Sequence, residues 1–257
     1  MKMGNTKRKH IVGTTLYHAL ILLIGLMMVY PLIWMVMSSF KETNTIFTTA
    51  GSLIPKQFTL ENYINGWKGF AKITFVTFFK NSLLISILAT FGTIISSAVV
   101  AYGFARFKFR GRGLLFAAML LSMMLPAQVL MIPQYLWYQK LGWVGSYLPL
   151  IVPYFFATQG FFVYLMSNFI SGIPVVTGCI FSFMWRWDDF LSALLYINKT
   201  SMYPVSLALK LFCDPGSSSD YGAMFAMATL SILPSVLIFI FFQKYLVEGI
   251  STSGLKG

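Results

Sequence analysis

The chain has 257 residues, of which 57% are apolar, 17% aromatic and 10% charged, and its formal net charge is +12. These proportions exclude a water-soluble domain, in which about 25% of the residues are charged. They predict an all-α polytopic membrane protein, because the apolar runs are long and continuous, unlike the alternating segments of about ten residues in membrane β-barrels.

Six apolar windows are long enough to cross a bilayer, which requires about 20 mostly apolar residues in a helix. In chain order they cover residues 16–38, 81–104, 114–137, 147–166, 175–197 and 224–246. The sequence therefore predicts a transmembrane domain of six helices over residues 16–246, between an N-terminal flank at 1–15 and a C-terminal tail at 247–257.

The short flanks of these windows predict the orientation, because cytoplasmic segments keep an excess of Lys and Arg. Basic residues precede the first window, and Arg106, Lys108, Arg110 and Arg112 follow the second. With six crossings, both the N-terminal flank and the C-terminal tail are expected in the cytoplasm. Topology and lipid headgroups account for the positive charge, so we expect no nucleic-acid partner.

The residue types that catalysis requires are scarce. The two histidines, His10 and His18, have no second histidine or carboxylate at the spacing of a metal site. The sequence also lacks a Gly-rich phosphate loop with its Lys and Ser or Thr. We therefore expect no catalytic residues, metal or cofactor, and ATP hydrolysis would have to come from a separate subunit.

One dense polar cluster interrupts the fifth apolar window, at Trp185, Arg186, Trp187, Asp188 and Asp189. Residues three apart share a helix face, so Arg186 and Asp189 can neutralise each other. Two interpretations stay open. The cluster is either an internal salt bridge that holds the helix packing, or a polar lining of a solute path flanked by two tryptophan rings.

Six further stretches have a recognisable pattern. They are PLIWMVMSSFK at 31–41, FTLENYINGW at 58–67, NSLLIS at 81–86, AYGFARFKFRGRG at 101–113, MMLPAQVLMIPQY at 123–135 and FFQKYLVEGISTSGLKG at 241–257. In this order, and at these positions relative to the apolar windows, they resemble the permease subunits of binding-protein-dependent sugar importers of the ATP-binding-cassette (ABC) type. Within that family the resemblance is to the maltose-type second permease.

The resemblance implies an ABC type I importer permease-like bundle in a bacterial cell membrane. It also implies the partners of such a subunit: a second homologous permease, a dimer of cytoplasmic ATPases, an extracytoplasmic sugar-binding protein and the lipid bilayer. The sugar would cross between the two permease bundles, and the ATPases would drive their alternation.

The same resemblance implies a cytoplasmic coupling loop between the fourth and fifth helices, with Glu-Ala-Ala followed later by Gly, whose short helix sits in a cleft of the ATPase. No Glu-Ala-Ala occurs in this sequence, and residues 167–174 stand where the loop is expected. Eight residues span at most about 28 Å, too little for a helix that projects and returns. We therefore interpret the coupling loop as missing. The remnant of the ATPase-facing surface would be Asn168, Phe169, Ile170, Ser171, Gly172, Ile173 and Pro174.

Two other classes of function are compatible with six apolar helices. One is a secondary transporter or channel that acts without an ATPase, and the other is a structural membrane protein that transports nothing. The first would require a relay of intramembrane acids or inverted repeats, whereas this sequence has one polar cluster and no clear repeat.

Overall fold

The computed structural model describes the backbone of residues 3–168, 173–213 and 219–254, and the side chains of residues 13–167, 175–213 and 219–246. Within these ranges the regular elements are helices, as the sequence predicts, and one isolated bridge pairs Phe70 with Ile73. The α-helices are α1 (Met3–Ser38), α2 (Glu61–Lys68), α3 (Phe75–Arg106), α4 (Arg112–Met123), α5 (Ala127–Lys140), α6 (Leu148–Ile151), α7 (Gly160–Asn168), α8 (Ile173–Trp187), α9 (Phe190–Tyr196), α10 (Val205–Ala208) and α11 (Tyr221–Gly254).

Four helical segments of the described chain are long and apolar enough to cross a membrane. They are Gly13–Ser38, Phe75–Arg106, Leu148–Ser167 and Tyr221–Leu246. Helices α4 and α5 together would make a fifth, although their axes are bent by 100°. The structure thus has four or five such segments where the sequence predicts six.

Pro126 accounts for the bend in the predicted window 114–137. Helix α4 ends at Met123 and α5 begins at Ala127, with Pro126 at its N-cap. Proline has no amide hydrogen with which to continue the helical hydrogen bonds, and it disfavours helical backbone at the residue before it. The window is therefore two helices instead of one straight span.

The predicted window 175–197 is also divided, into α8 and α9, which have 15 and 7 residues. Asp189 is the N-cap of α9, and its Oδ1 accepts a hydrogen bond from the amide of Ser192 at 3.0 Å. Aspartate favours this position because its short side chain reaches the amides that a first helical turn leaves without a partner. The break corrects the expectation of one crossing helix here.

The chain forms two compact units. The first contains residues 1–66 and 220–229, and the second contains residues 67–219 and 230–257. In the first unit, residues 13–33 of α1 are all exposed. A membrane or another chain would therefore have to cover this apolar helix.

The buried Asn62 organises the turn that follows α1 in the first unit. Its Nδ2 donates hydrogen bonds to the carbonyls of Ser39 and Lys41, at 2.8 and 2.6 Å. Its Oδ1 accepts from the Thr43 hydroxyl at 3.0 Å. A buried amide needs such partners, and here it fixes α2 against the segment 39–43.

Helix α3 is the centre of the second unit and packs against α7 and α8. Small residues three or four positions apart form its buried face, which lets the neighbouring helices approach closely. A Cβ at Gly92 would lie 2.6 Å from the Phe155 ring, so a larger residue here would displace that ring. The buried small residues are Ser82, Ser86, Ala89, Gly92, Thr93, Ser97 and Ala101.

Candidate solute cavity

A cavity of about 450 Å³ lies in the second unit, among α5, the segment 149–159, α8 and α9. Its volume falls within the range of small-molecule sites, roughly 300–1,000 Å³. Amide, hydroxyl and aromatic groups dominate its wall. The polar and aromatic residues that line it are Gln128, Gln134, Tyr138, Tyr154, Thr158, Gln159, Trp185, Arg186, Asp189, Ser192 and Tyr196.

Arg186 is held in place by an acid and an aromatic ring. Its Nη1 donates hydrogen bonds to Oδ2 of Asp189 at 3.0 Å and to the hydroxyl of Tyr154. The guanidinium carbon also lies 4.6 Å from the centroid of the Tyr154 ring, at cation–π distance. The side chains of Arg186 and Asp189 are only 12% and 18% exposed. An unpaired charge that is this buried would destabilise the fold, and the two side chains neutralise each other.

Asp189 is fixed from three sides. One carboxylate oxygen caps α9 and the other pairs with Arg186. Its backbone carbonyl accepts a hydrogen bond from the Ser206 hydroxyl at 3.1 Å. The break between α8 and α9 therefore places an ordered carboxylate at the cavity wall.

The structure brings Trp185, Arg186 and Asp189 of the sequence cluster to the cavity. Asp188 is exposed and is not part of the wall. Trp185 lines the cavity and is 44% exposed, and its ring also packs against those of Phe161 and Phe162, with centroids 5.2 and 5.4 Å away.

Trp187 points elsewhere, into the packing of the second unit. It is 3% exposed and stacks on Phe183 with ring centroids 5.7 Å apart. Its Nε1–H donates to the Ser231 carbonyl of α11 at 2.9 Å. Trp187 therefore joins two helices instead of lining the cavity.

The predicted remnant of the ATPase-facing surface falls mostly outside the described residues. Helix α7 ends at Asn168 and α8 begins at Ile173, and Pro174 lies in the first turn of α8. Residues Phe169, Ile170, Ser171 and Gly172 lie outside the described backbone, and the side chains of the whole segment 168–174 lie outside the described ones. Four residues thus connect α7 to α8.

Sequence reasoning missed three glutamines of the cavity, Gln128, Gln134 and Gln159. Within the described part of the chain, their side-chain amides make no hydrogen bond. Each of them is a polar amide inside an apolar window, which is the signal that could have drawn attention to them.

The chain is similar to transporter permeases over nearly all its length. The probable ABC transporter permease protein YurM of Bacillus subtilis is 30% identical over 98% of this chain and 91% of YurM. The trehalose/maltose transport system permease protein MalG of Thermococcus litoralis is 27% identical over 92% of this chain and 94% of MalG. No family model matches the chain.

A solved structure shows the same fold. One chain of a bacterial ABC transporter involved in the import of the acidic polysaccharide alginate matches with a TM-score of 0.79, over 93% of this chain and 98% of that chain. The sequence identity between the two is 18%. This chain therefore shares the fold of that transporter chain.

These alignments also contain positions without a residue of this chain. The YurM alignment spans 281 positions, and since 98% of 257 residues is about 252, about 29 positions are empty here. The MalG alignment spans 265 positions, and since 92% of 257 is about 236, about 29 are again empty. With 30% identity to YurM across almost its full length, the chain belongs to the ABC transporter permeases, as a membrane subunit of the binding-protein-dependent sugar importers.

Proposed function

We propose that this chain forms one half of the membrane path of an oligosaccharide importer and that its coupling to the ATPase is weak or absent. The cavity beside Arg186 and Asp189 would be part of that path. Its amides and aromatic rings suit a hydroxyl-rich solute, and the relative MalG is named for trehalose and maltose. The relatives lend no support to a secondary transporter, a channel or a purely structural protein.

The family implies the partners of such a subunit. A second homologous permease would supply the other half of the path, an ATPase dimer the energy, and a sugar-binding protein the substrate. The 257 residues have no phosphate-binding loop of their own, which supports a separate ATPase.

Six crossings remain our proposal for the topology, with both termini in the cytoplasm. The stretch from Ile173 to Tyr196 would be about 36 Å long if it were helical throughout, which exceeds a hydrocarbon core of about 30 Å. Helices α8 and α9 together are therefore long enough for a broken crossing. Helices α4 and α5 would make a second broken crossing around Pro126.

The proposal of weak coupling rests on the short connection between α7 and α8. Four residues between Asn168 and Ile173 span at most about 14 Å and leave no room for a projecting helix. The total of roughly 29 empty positions in each alignment is the number that the loss of one segment of that length would leave. An ATPase can shift a permease between two states only if its contacts differ between them, and the missing loop would remove most of that difference.

The experiment is to restore a family coupling loop in place of Pro174, between Ile173 and Val175. The chain is reconstituted in proteoliposomes with its partner permease, ATPase and binding protein, with and without the loop. We expect ATPase activity that rises with sugar only when the loop is present, because the loop restores contacts that depend on the state of the permease.

A scrambled loop of the same length and composition is the matched control. It reproduces the added chain length without the Glu-Ala-Ala motif, so it should leave the ATPase activity at the level of the unmodified complex. Equal sugar stimulation in the unmodified and loop-restored complexes would contradict the proposal of weak coupling. Failure of the chain to co-purify with any partner would contradict its role as an importer subunit.

A further inference from the structure

The cavity carries no net charge. Arg186 and Asp189 are the only charged residues among the described residues that line it, and their ion pair measures 3.0 Å. Arg186 already donates from Nη1 to both Asp189 and Tyr154. Because the Arg186 side chain is only 12% exposed and lies against Asp189, a carboxylate that approached its other nitrogens would lose its water and meet the like charge of Asp189.

The uncharged groups of the wall have unused hydrogen-bonding capacity. Gln128, Gln134 and Gln159 each offer a carbonyl acceptor and two N–H donors, and within the described chain no protein group uses them. Sugar hydroxyls both donate and accept, so they match amides of this kind. The partly exposed Trp185 ring offers the apolar surface that the C–H face of a sugar needs.

We propose that this cavity binds a neutral saccharide and discriminates against uronic acids of the same size. The three glutamines hold the hydroxyls and Trp185 packs against the ring. The closed Arg186–Asp189 pair withholds the cation that a uronate would require. This inference deepens the proposed oligosaccharide transport and rests on it.

The discrimination comes from the cost of leaving a charge without a partner. A uronate would lose water on entering the cavity and would find Arg186 already neutralised, whereas a neutral sugar gives up only hydroxyl hydration that the amides replace. We expect the neutral ligand to bind at least about tenfold more tightly than the acidic one, since a tenfold ratio requires only about 1.4 kcal/mol.

α-1,4-Linked galactotriose and α-1,4-linked trigalacturonate test this directly, because they differ only in the oxidation of C6 in each sugar unit. The full chain is placed in nanodiscs, and the binding of each sugar is measured by calorimetry and by the change in intrinsic tryptophan fluorescence that Trp185→Phe abolishes. The unmodified chain should prefer galactotriose. Asp189→Asn should shift the preference about tenfold or more toward trigalacturonate, because it frees Arg186 while Asn still caps α9.

Asp188→Asn is the matched control, since it removes the same charge from the neighbouring residue outside the cavity wall. It should leave the preference unchanged. Equal or tighter binding of trigalacturonate by the unmodified chain overturns the inference. So does an Asp189→Asn variant that elutes as a folded protein with an unchanged preference, and so does the absence of binding of either sugar. None of these results bears on the importer role, which co-purification with the ATPase and the binding protein tests separately.

Discussion

Asp189 uses its two carboxylate oxygens for different purposes. Oδ1 accepts a hydrogen bond from the Ser192 amide in the first turn of α9, and Oδ2 accepts one from Arg186 at 3.0 Å. The sequence left two interpretations of this cluster, a salt bridge or a cavity lining. Asp189 fits both, because its ion pair with Arg186 lies at the cavity wall. Its role in solute passage stays a prediction.

Arg186→Met should destabilise the chain by about 2–4 kcal/mol, because it leaves a mostly buried carboxylate without its cation. The double variant with Asp189→Asn should recover most of the loss, since it removes the stranded charge and keeps the cap. The measurement is the temperature at which half of the detergent-solubilised protein loses its monodisperse elution peak. Asp188→Asn serves as control, and an Arg186→Met variant as stable as that control would refute the prediction.

At the scale of helices, the sequence predicted where apolar segments lie but not whether they continue. Pro31 and Pro234 lie inside α1 and α11, whereas Pro126 separates α4 from α5. The sequence around each proline does not say whether the helix continues through it or ends there. The break at Asp189 could be anticipated only as a capping preference.

The sequence also predicts part of the candidate site. The spacing of Arg186 and Asp189 on one turn predicts their pairing, since a helix brings residues three apart together. The glutamines come from α5 and from the residue before α7. Their meeting with Arg186 depends on how distant helices pack, which no local pattern contains.

Trp187 ties α8 to α11, and the two neighbouring tryptophans allow a matched comparison. Trp187→Phe keeps an aromatic ring against Phe183 but removes the hydrogen bond to the Ser231 carbonyl. We expect a loss of about 1–2 kcal/mol, measured by the same elution assay. Trp185→Phe changes the same chemical group at a residue that is 44% exposed, and it should cost much less. Equal losses in the two variants would show that the buried hydrogen bond contributes nothing.

At the scale of the whole molecule, the orientation in the membrane is predicted from short basic segments alone. The test uses a chain in which Cys179 and Cys213 are replaced by Ala. Gly51→Cys lies in an exposed turn where a side chain meets no neighbour within 4 Å, and Lys108→Cys lies in the exposed basic link. A membrane-impermeant maleimide should label Gly51→Cys in intact cells and Lys108→Cys only after permeabilisation. Labelling of both from the same side would exclude the predicted topology.

The exposed helix α1 is longer than a bilayer requires. Its 26-residue apolar segment Gly13–Ser38 is about 39 Å long, against a hydrocarbon core of about 30 Å. A tilt of about 40° would remove this mismatch, and smaller tilts would suit thicker membranes. Residues 13–33 of this segment are exposed, so we expect α1 to adjust its tilt when the thickness of the surrounding lipid changes.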